Sequence, residues 1–123
     1  MIELELKAVV PDPTALISRL RTFGAREDFA GALIDRRFDF ADGRLLAKDE
    51  VVRVREYRAA SGEVQTSLEW KGPESHTAGY KQREEIGVQT GDAETLIEIL
   101  ARLGLRQVRT IEREVDVSIE EAI

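Results

Sequence analysis

Six stretches of the sequence alternate apolar and charged residues with a period of two. Successive side chains of a strand point to opposite faces, so each stretch reads as a strand with one apolar and one charged face. The first, Ile2 to Val10, sets Leu4, Leu6, Ala8 and Val10 against Glu3, Glu5 and Lys7. The second, about Ala32 to Phe40, sets Phe38 and Phe40 against Asp35, Arg37 and Asp39. Val51 to Tyr57 sets Val52 and Val54 against Arg53 and Arg55, and Val64 to Lys71 sets Leu68 and Trp70 against Glu69 and Lys71. Tyr80 to Val88 carries Lys81, Arg83 and Glu85 on one face, and the last strand, about Val108 to Ile119, carries Arg109, Ile111, Arg113 and Val115.

Only two helices are available to cover the apolar faces. Asp12 reads as an N-cap with Pro13 at the first helical position, and the helix runs to about Phe23 before Gly24. Its stripe of Leu16, Ile17, Leu20 and Phe23 is expected to sit on the apolar back of the first strand. The second helix spans Ala93 to Leu103 between Gly91-Asp92 and Gly104, with Leu96, Ile99, Leu100 and Leu103 as its stripe. Between these landmarks, Ala41 to Arg44 reads as a turn with Leu45 and Leu46 tucked beneath it. Glu74 to Gly79 reads as a mobile polar loop, and its His76 is assigned no role.

The two helices resemble each other at a constant offset of 80 residues: Asp, Leu, Ile, Leu and Gly coincide between 12–24 and 92–104, and Glu5 falls on Glu85. An internal repeat follows. The first half, about 1–80, holds a strand, a helix and three more strands; the second, about 81–123, holds a strand, a helix and one long strand. The expectation is a single domain over 1–123 whose second half is two strands short, completed by another copy of the chain if at all.

The 123 residues suit one domain with a modest core, and 42% hydrophobic with 34% charged residues is a globular composition. A formal net charge of −6 argues against non-specific nucleic-acid binding. There is no cysteine for disulfides or thiolate-bound metals, and no apolar run of membrane-spanning length or leader peptide is apparent, so the cytoplasm is expected.

If the helices lie outside, the charged faces line the inside. The expected fold is therefore α+β: an antiparallel curved sheet or β-barrel with a wet, charged interior and two outer helices. Charges inside a protein are costly unless paired. Arg and Lys rows can pair with carboxylates or surround phosphates, while Glu3 and Glu5 could hold a hard cation such as Mg2+ or Mn2+. Basic rows with a carboxylate corner suit a triphosphate and its metal. An ordinary salt-bridged, solvated sheet is the alternative.

The chain also resembles a known family. Glu3-Leu-Glu-Leu-Lys7 is similar to the ExExK signature of CYTH domains, the triphosphate tunnel metalloenzymes. Asp35…Phe38-Asp39, Val52-Arg-Val-Arg55, Leu68-Glu-Trp-Lys-Gly-Pro73, Arg83-Glu-Glu-Ile86 and Arg113 follow in order, and the Trp-Lys-Gly-Pro and Arg-Glu-Glu-Ile pieces look most like the class IV adenylyl cyclase branch. The resemblance implies a tunnel of antiparallel strands that binds a triphosphate and Mg2+ or Mn2+. It implies Glu3 and Glu5 as metal ligands, with Glu85 and Glu120 as further candidates. Lys7, Arg53, Arg55, Lys71, Arg83 and Arg113 would hold phosphates, with Lys7 and Arg113 catalytic. The family's second basic residue falls at Ile111, and Arg109 on the same face could substitute. The chain stops before the family's later Glu-x-Glu strand. The functions implied are cleavage of tripolyphosphate, thiamine triphosphate or another triphosphate, or conversion of ATP to cyclic AMP and pyrophosphate. The early end leaves a non-catalytic polyphosphate-binding module as a further alternative.

Overall fold

The computed structural model describes residues 2–5, 9 and 11–120; the side chains of 2–5, 25–29 and 116–120 lie outside that description. Ten elements follow in the order β1 (Ile2–Glu5), α1 (Pro13–Thr22), β2 (Ala25–Phe40), α2 (Arg44–Ala47), β3 (Val51–Ala59), β4 (Val64–Lys71), β5 (Ser75–Thr77), β6 (Tyr80–Thr90), α3 (Ala93–Arg102) and β7 (Leu105–Glu120). All pairings are antiparallel, in the order β1-β6-β4-β3-β2-β7, with the short β5 beside β6. The sheet curls into an open half-barrel, the curved antiparallel sheet expected from the alternation.

Both long helices form where their caps place them. Asp12 and Asp92 have nearly the same extended backbone (φ −133° and −138°), and each carboxylate accepts an N–H from three residues on, Ala15 or Thr95. Gly24 and Gly104 then take φ of 95° and 98°, a left-handed turn that costs other residues energy. A 16-residue strand follows each. The offset of 80 thus covers strand, helix and strand. It also governs how the halves meet: Glu3 pairs with Arg83 and Leu33 with Arg113, each with its own equivalent. Antiparallel pairing centred on equivalent residues is the mark of a pseudo-two-fold axis.

The core lies on the convex side. Val54 is fully buried, and Phe38 from β2, Leu100 from α3 and Leu105 from β7 close around it. Each such side chain contributes about 1.5–3 kcal/mol by leaving water. Beyond α3 the same face carries Glu56, whose carboxylate takes Arg36 at 2.7 Å and Arg58 at 3.0 Å. Among the described residues, no helix is long and apolar enough to cross a membrane.

One irregularity decides what β7 can do. Leu105 and Arg109 have the same strand parity, yet Leu105 lies in the core and Arg109 faces the opposite, concave side. The register slips by one between the pairs Arg37–Arg109 and Phe38–Gln107, leaving Val108 as the extra residue of a bulge. The slip turns Arg109, Ile111, Arg113 and Val115 inward while Leu105 stays outward.

Several local expectations change. Gly31 sits inside β2, not ahead of it; at φ 157° it lets β3 approach so closely that a Cβ would collide with the Arg58 carbonyl oxygen. The expected loop at 74–79 contains β5, because Ala78 and Gly79 take φ of 52° and 83° and close a two-residue hairpin turn. Leu45 packs on the core as expected, but Leu46 is exposed. α1 packs on β2 and has no buried residue; its expected seat on Leu4, Leu6, Ala8 and Val10 lies outside the described side chains.

Asp39 is the clearest change. Alternation assigned it to the charged face with Asp35 and Arg37. It is instead buried beneath α2, where its carboxylate accepts the amides of Phe40, Leu45 and Leu46 at 2.7, 3.1 and 3.2 Å. Asp39→Ala would leave three amides without that acceptor, and should lower unfolding free energy by about 2 kcal/mol. Urea denaturation checks this, with Asp39→Asn expected to lose less.

Candidate functional site

The curl brings β6 and β7, separated in the ladder by three strands, to opposite walls of one concave cavity of about 530 Å³. β2 contributes Leu33, Asp35 and Arg37; β3 contributes Val51, Arg53 and Arg55; β4 contributes Lys71. β6 contributes Lys81, Arg83 and Glu85, and β7 contributes Arg109, Ile111, Arg113 and Val115. Eight cations face two carboxylates, in a chain whose net charge is −6. The basic residues are therefore concentrated here against the overall balance.

Cross-strand register arranges them in transverse rows. Arg53, Arg37 and Arg109 form one row across β3, β2 and β7, with Glu69 of β4 at its end. Ser67, Arg55, Asp35 and Ile111 form the next. Side chains in one row are close neighbours, so each carboxylate has cations beside and diagonally across from it.

Asp35 is at the centre. It is buried, and Arg55 forks onto it, Nε to Oδ1 at 2.6 Å and Nη2 to Oδ2 at 2.7 Å. Arg113 Nη2 stands 3.5 Å and Arg53 Nη1 3.8 Å from Oδ2. Burial alone would raise the Asp35 carboxyl, but the Arg55 fork, with Arg53 and Arg113 around it, holds it below its ordinary value. Burial would likewise lower the Arg55 guanidinium, and the Asp35 hydrogen bonds raise it instead. Arg53 donates both Nε and Nη2 to a single oxygen of Glu69, at 3.0 and 2.6 Å, while Ser67 donates to the other at 3.2 Å. Arg53 Nη2 also lies 4.0 Å from Glu85.

Arg83 is held differently. Its Nε donates to the Gly72 carbonyl at 2.7 Å and its Nη2 to the Asp49 carbonyl at 3.0 Å. Asp49, left-handed at φ 54°, also accepts the Glu74 amide at 2.7 Å. Arg83 thus ties the turn after β4 to the loop before β3 while lining the cavity.

A family model described as the CYTH domain matches residues 1–114. The chain belongs to the CYTH domain family. CYTH proteins form a metal-dependent family that binds triphosphates, and its members are generally triphosphatases or adenylyl cyclase-like enzymes. Several solved structures share the fold, three of them as follows. A proposed adenylate cyclase from Vibrio parahaemolyticus superposes with a TM-score of 0.80 at 14% identity, over 95% of this chain and 62% of its own. The PH1819 protein of Pyrococcus horikoshii does so at 0.71 and 22%, over 89% and 61%. A proposed adenylate cyclase from Bacillus halodurans does so at 0.53 and 19%, over 92% and 63%. The chain spans about three-fifths of the length of each. None of the curated proteins matches.

Seven residues nominated from the CYTH resemblance or the charged faces meet in the cavity: Arg53, Arg55, Lys71, Arg83, Glu85, Arg109 and Arg113. Lys7 lies outside the described residues, and only the backbone of Glu3 and Glu5 is described, opposite Arg83 and Lys81. Glu120 is placed by backbone alone, pairing with Ala25 seven residues beyond Arg113, about 23 Å along the strand at about 3.3 Å per residue. Among the described residues, no cluster of three carboxylates or histidines could hold a metal. Sequence reasoning put Asp35, Arg37, Glu69 and Lys81 on charged faces but gave them no role. Their position in the same rows as Arg53 and Arg55 was the available signal.

Asp35 and Glu56 both titrate below their ordinary values, Glu56 because Arg36 and Arg58 outweigh the opposing effect of its burial. Depressed carboxylates stabilise the fold above their unfolded pKa, near ~4, and the stabilisation fades as pH falls through the lower folded values. Asp35→Asn removes one of these groups. Stability measured by urea midpoint should fall less steeply below about pH 4 in that variant than in the parent; parallel curves would contradict the assignment.

Proposed function

We propose that this CYTH chain is a metal-dependent triphosphatase acting on inorganic or organic triphosphates. The observation that carries the reading is the convergence of eight cations on one concave cavity in an acidic chain. Such a surface is costly empty and is matched by a polyanion. Forked guanidiniums suit phosphate oxygens, and lysines supply point charge.

Arg53 and Arg55 are oriented by Glu69 and Asp35, so they meet the ligand with little reorganisation. Water would attack the terminal phosphorus, and the bond to the bridging oxygen would break, leaving orthophosphate and the shortened phosphate chain. Arg113 is half-exposed at 53% and reaches the site from the far wall, which suits it to the charge that builds on the reacting group. Lys7 takes the same role in this reading. Glu3, Glu5 and Glu85 would hold Mg2+ or Mn2+, which when bound supplies Lewis-acid polarisation of a phosphoryl oxygen. Glu120 is left out of that set because of its distance along β7.

A second reading, an adenylyl cyclase, draws on the names of two structural neighbours. Hydrolysis is favoured because the described cavity lining is dominated by cations that match phosphate, with the Tyr57 ring beside Arg55 and outside that lining. A binding module without turnover is the third reading, which needs the basic cavity and no metal ligands. β1 and β7 end the ladder among the described strands, and a second copy of the chain could add strands there.

The test is incubation with tripolyphosphate, thiamine triphosphate and ATP in Mg2+ or Mn2+, following phosphate, pyrophosphate and cyclic AMP, with light scattering for the oligomer. Orthophosphate release that Glu5→Ala abolishes is the expected result. Arg113→Ala should lower kcat by about 10²–10³-fold, with stability within about 0.5 kcal/mol of the parent. Cyclic AMP with pyrophosphate would replace the hydrolase by the cyclase, binding without turnover would replace both by the module, and no binding would end all three.

A further inference from the structure

Arg37 and Arg109 stand outside the pairings that hold the other cavity arginines. The ladder sets them directly opposite each other, and sets Arg37 opposite Arg53 on its other flank. Three guanidiniums therefore share one row. Like charges opposed across a sheet are destabilising unless something intervenes. Glu69 relieves Arg53, accepting two of its N–H groups. Asp35, the nearest carboxylate along β2, has both oxygens on the Arg55 fork. Arg37 Nε is buried with no hydrogen-bond partner, and neither Arg37 nor Arg109 has an ion pair among the described residues. Burial, then Arg109, Arg53 and Arg83, push the Arg37 guanidinium below its ordinary value despite the opposing pull of Asp35.

A buried donor without an acceptor costs about 1–3 kcal/mol. Here it lies at the wall of an open cavity, beside a second uncompensated guanidinium, and the missing partner is an anion. Monovalent carboxylates occur throughout this acidic chain, yet the described ones do not take the position. Two forked cations in register fit a tetrahedral dianion, which offers several acceptor oxygens and can bridge them.

We propose that Arg37 and Arg109 form an anion subsite of their own, which takes one phosphoryl group of an oligophosphate and bridges β2 to β7 through it. The proposal rests on the reading of the cavity as an oligophosphate site, and adds the residues that hold one phosphoryl of the chain. It follows that the anion-free pair is a source of repulsion. Removing one arginine should weaken the ligand without weakening the fold, the reverse of what a structural arginine would do.

The experiment is calorimetric titration with sodium tripolyphosphate and pyrophosphate in magnesium-free buffer, with thermal melts of the anion-free proteins. The variants are Arg37→Met, Arg109→Met, the double variant and, for comparison, Arg113→Ala. Arg109 is exposed, so Arg109→Met keeps the test open should Arg37→Met fold poorly. Each single variant should bind tripolyphosphate about ten- to a hundredfold more weakly. The double variant should lose less than the product of the two, because both arginines hold one group. The Tm of anion-free Arg37→Met or Arg109→Met should equal or exceed that of the parent. Unchanged affinity in both single variants, alongside a loss in Arg113→Ala, would overturn the subsite and leave the oligophosphate reading standing. Multiplicative losses in the double variant would overturn the shared site. Failure of the parent to bind either oligophosphate would overturn both readings.

Discussion

The buried carboxylate of Asp35 makes the concave surface possible. Eight cations cannot be gathered in one cavity without interior counter-charge, and Asp35 supplies it at the crossing point of three strands. β2 is flanked by β3 and β7, so one side chain meets Arg55, Arg53 and Arg113 together. A buried ion pair of this kind adds little net stability, because desolvation offsets the attraction. Its effect is positional: the Arg55 fork has one orientation, and Glu69 does the same for Arg53 on the neighbouring strand. Two carboxylates thus aim two guanidiniums, while Arg37 and Arg109, which lack such a brace, carry the unbalanced charge.

The cavity depends equally on the β7 bulge and on the pseudo-two-fold. Without the extra residue at Val108, β7 could satisfy the core through Leu105 or the cavity through Arg109 and Arg113, but not both. The pseudo-symmetry sets equivalent residues opposite each other with different chemistry: Glu3 faces Arg83, and Leu33 faces Arg113. The shared fold places the backbone, and divergence between the halves supplies a polar site with unlike walls.

Much of this was legible from alternation and capping. The Asp–Gly bracketing of both helices and the convergence of charged faces from β2, β3, β4, β6 and β7 follow from capping and period-two patterning once only two covering helices are available. The family resemblance rested on residues that do line one cavity, Arg53, Arg55, Lys71, Arg83 and Arg113 among them. What was not legible has a common cause: alternation reports which face a residue occupies and not what it touches. Asp39 shares parity with Asp35, yet three backbone amides around α2 claim its carboxylate. Arg83 faces the cavity, yet two backbone carbonyls take its donors. The β7 bulge adds a residue without a turn signal in the sequence, and Gly31, just ahead of the expected strand, serves a close strand approach.

The most direct test of the central claim, that these side chains converge on a single polyanion site, is a titration with tripolyphosphate followed through the arginine Nε–Hε resonances. The account predicts that Arg37, Arg53, Arg55, Arg109 and Arg113 shift along one saturating curve with a shared Kd, while the convex-face Arg36 and Arg58 and the helix residue Arg102 stay in place. Shifts spread evenly over inner and outer arginines, or confined to the outer ones, would contradict it.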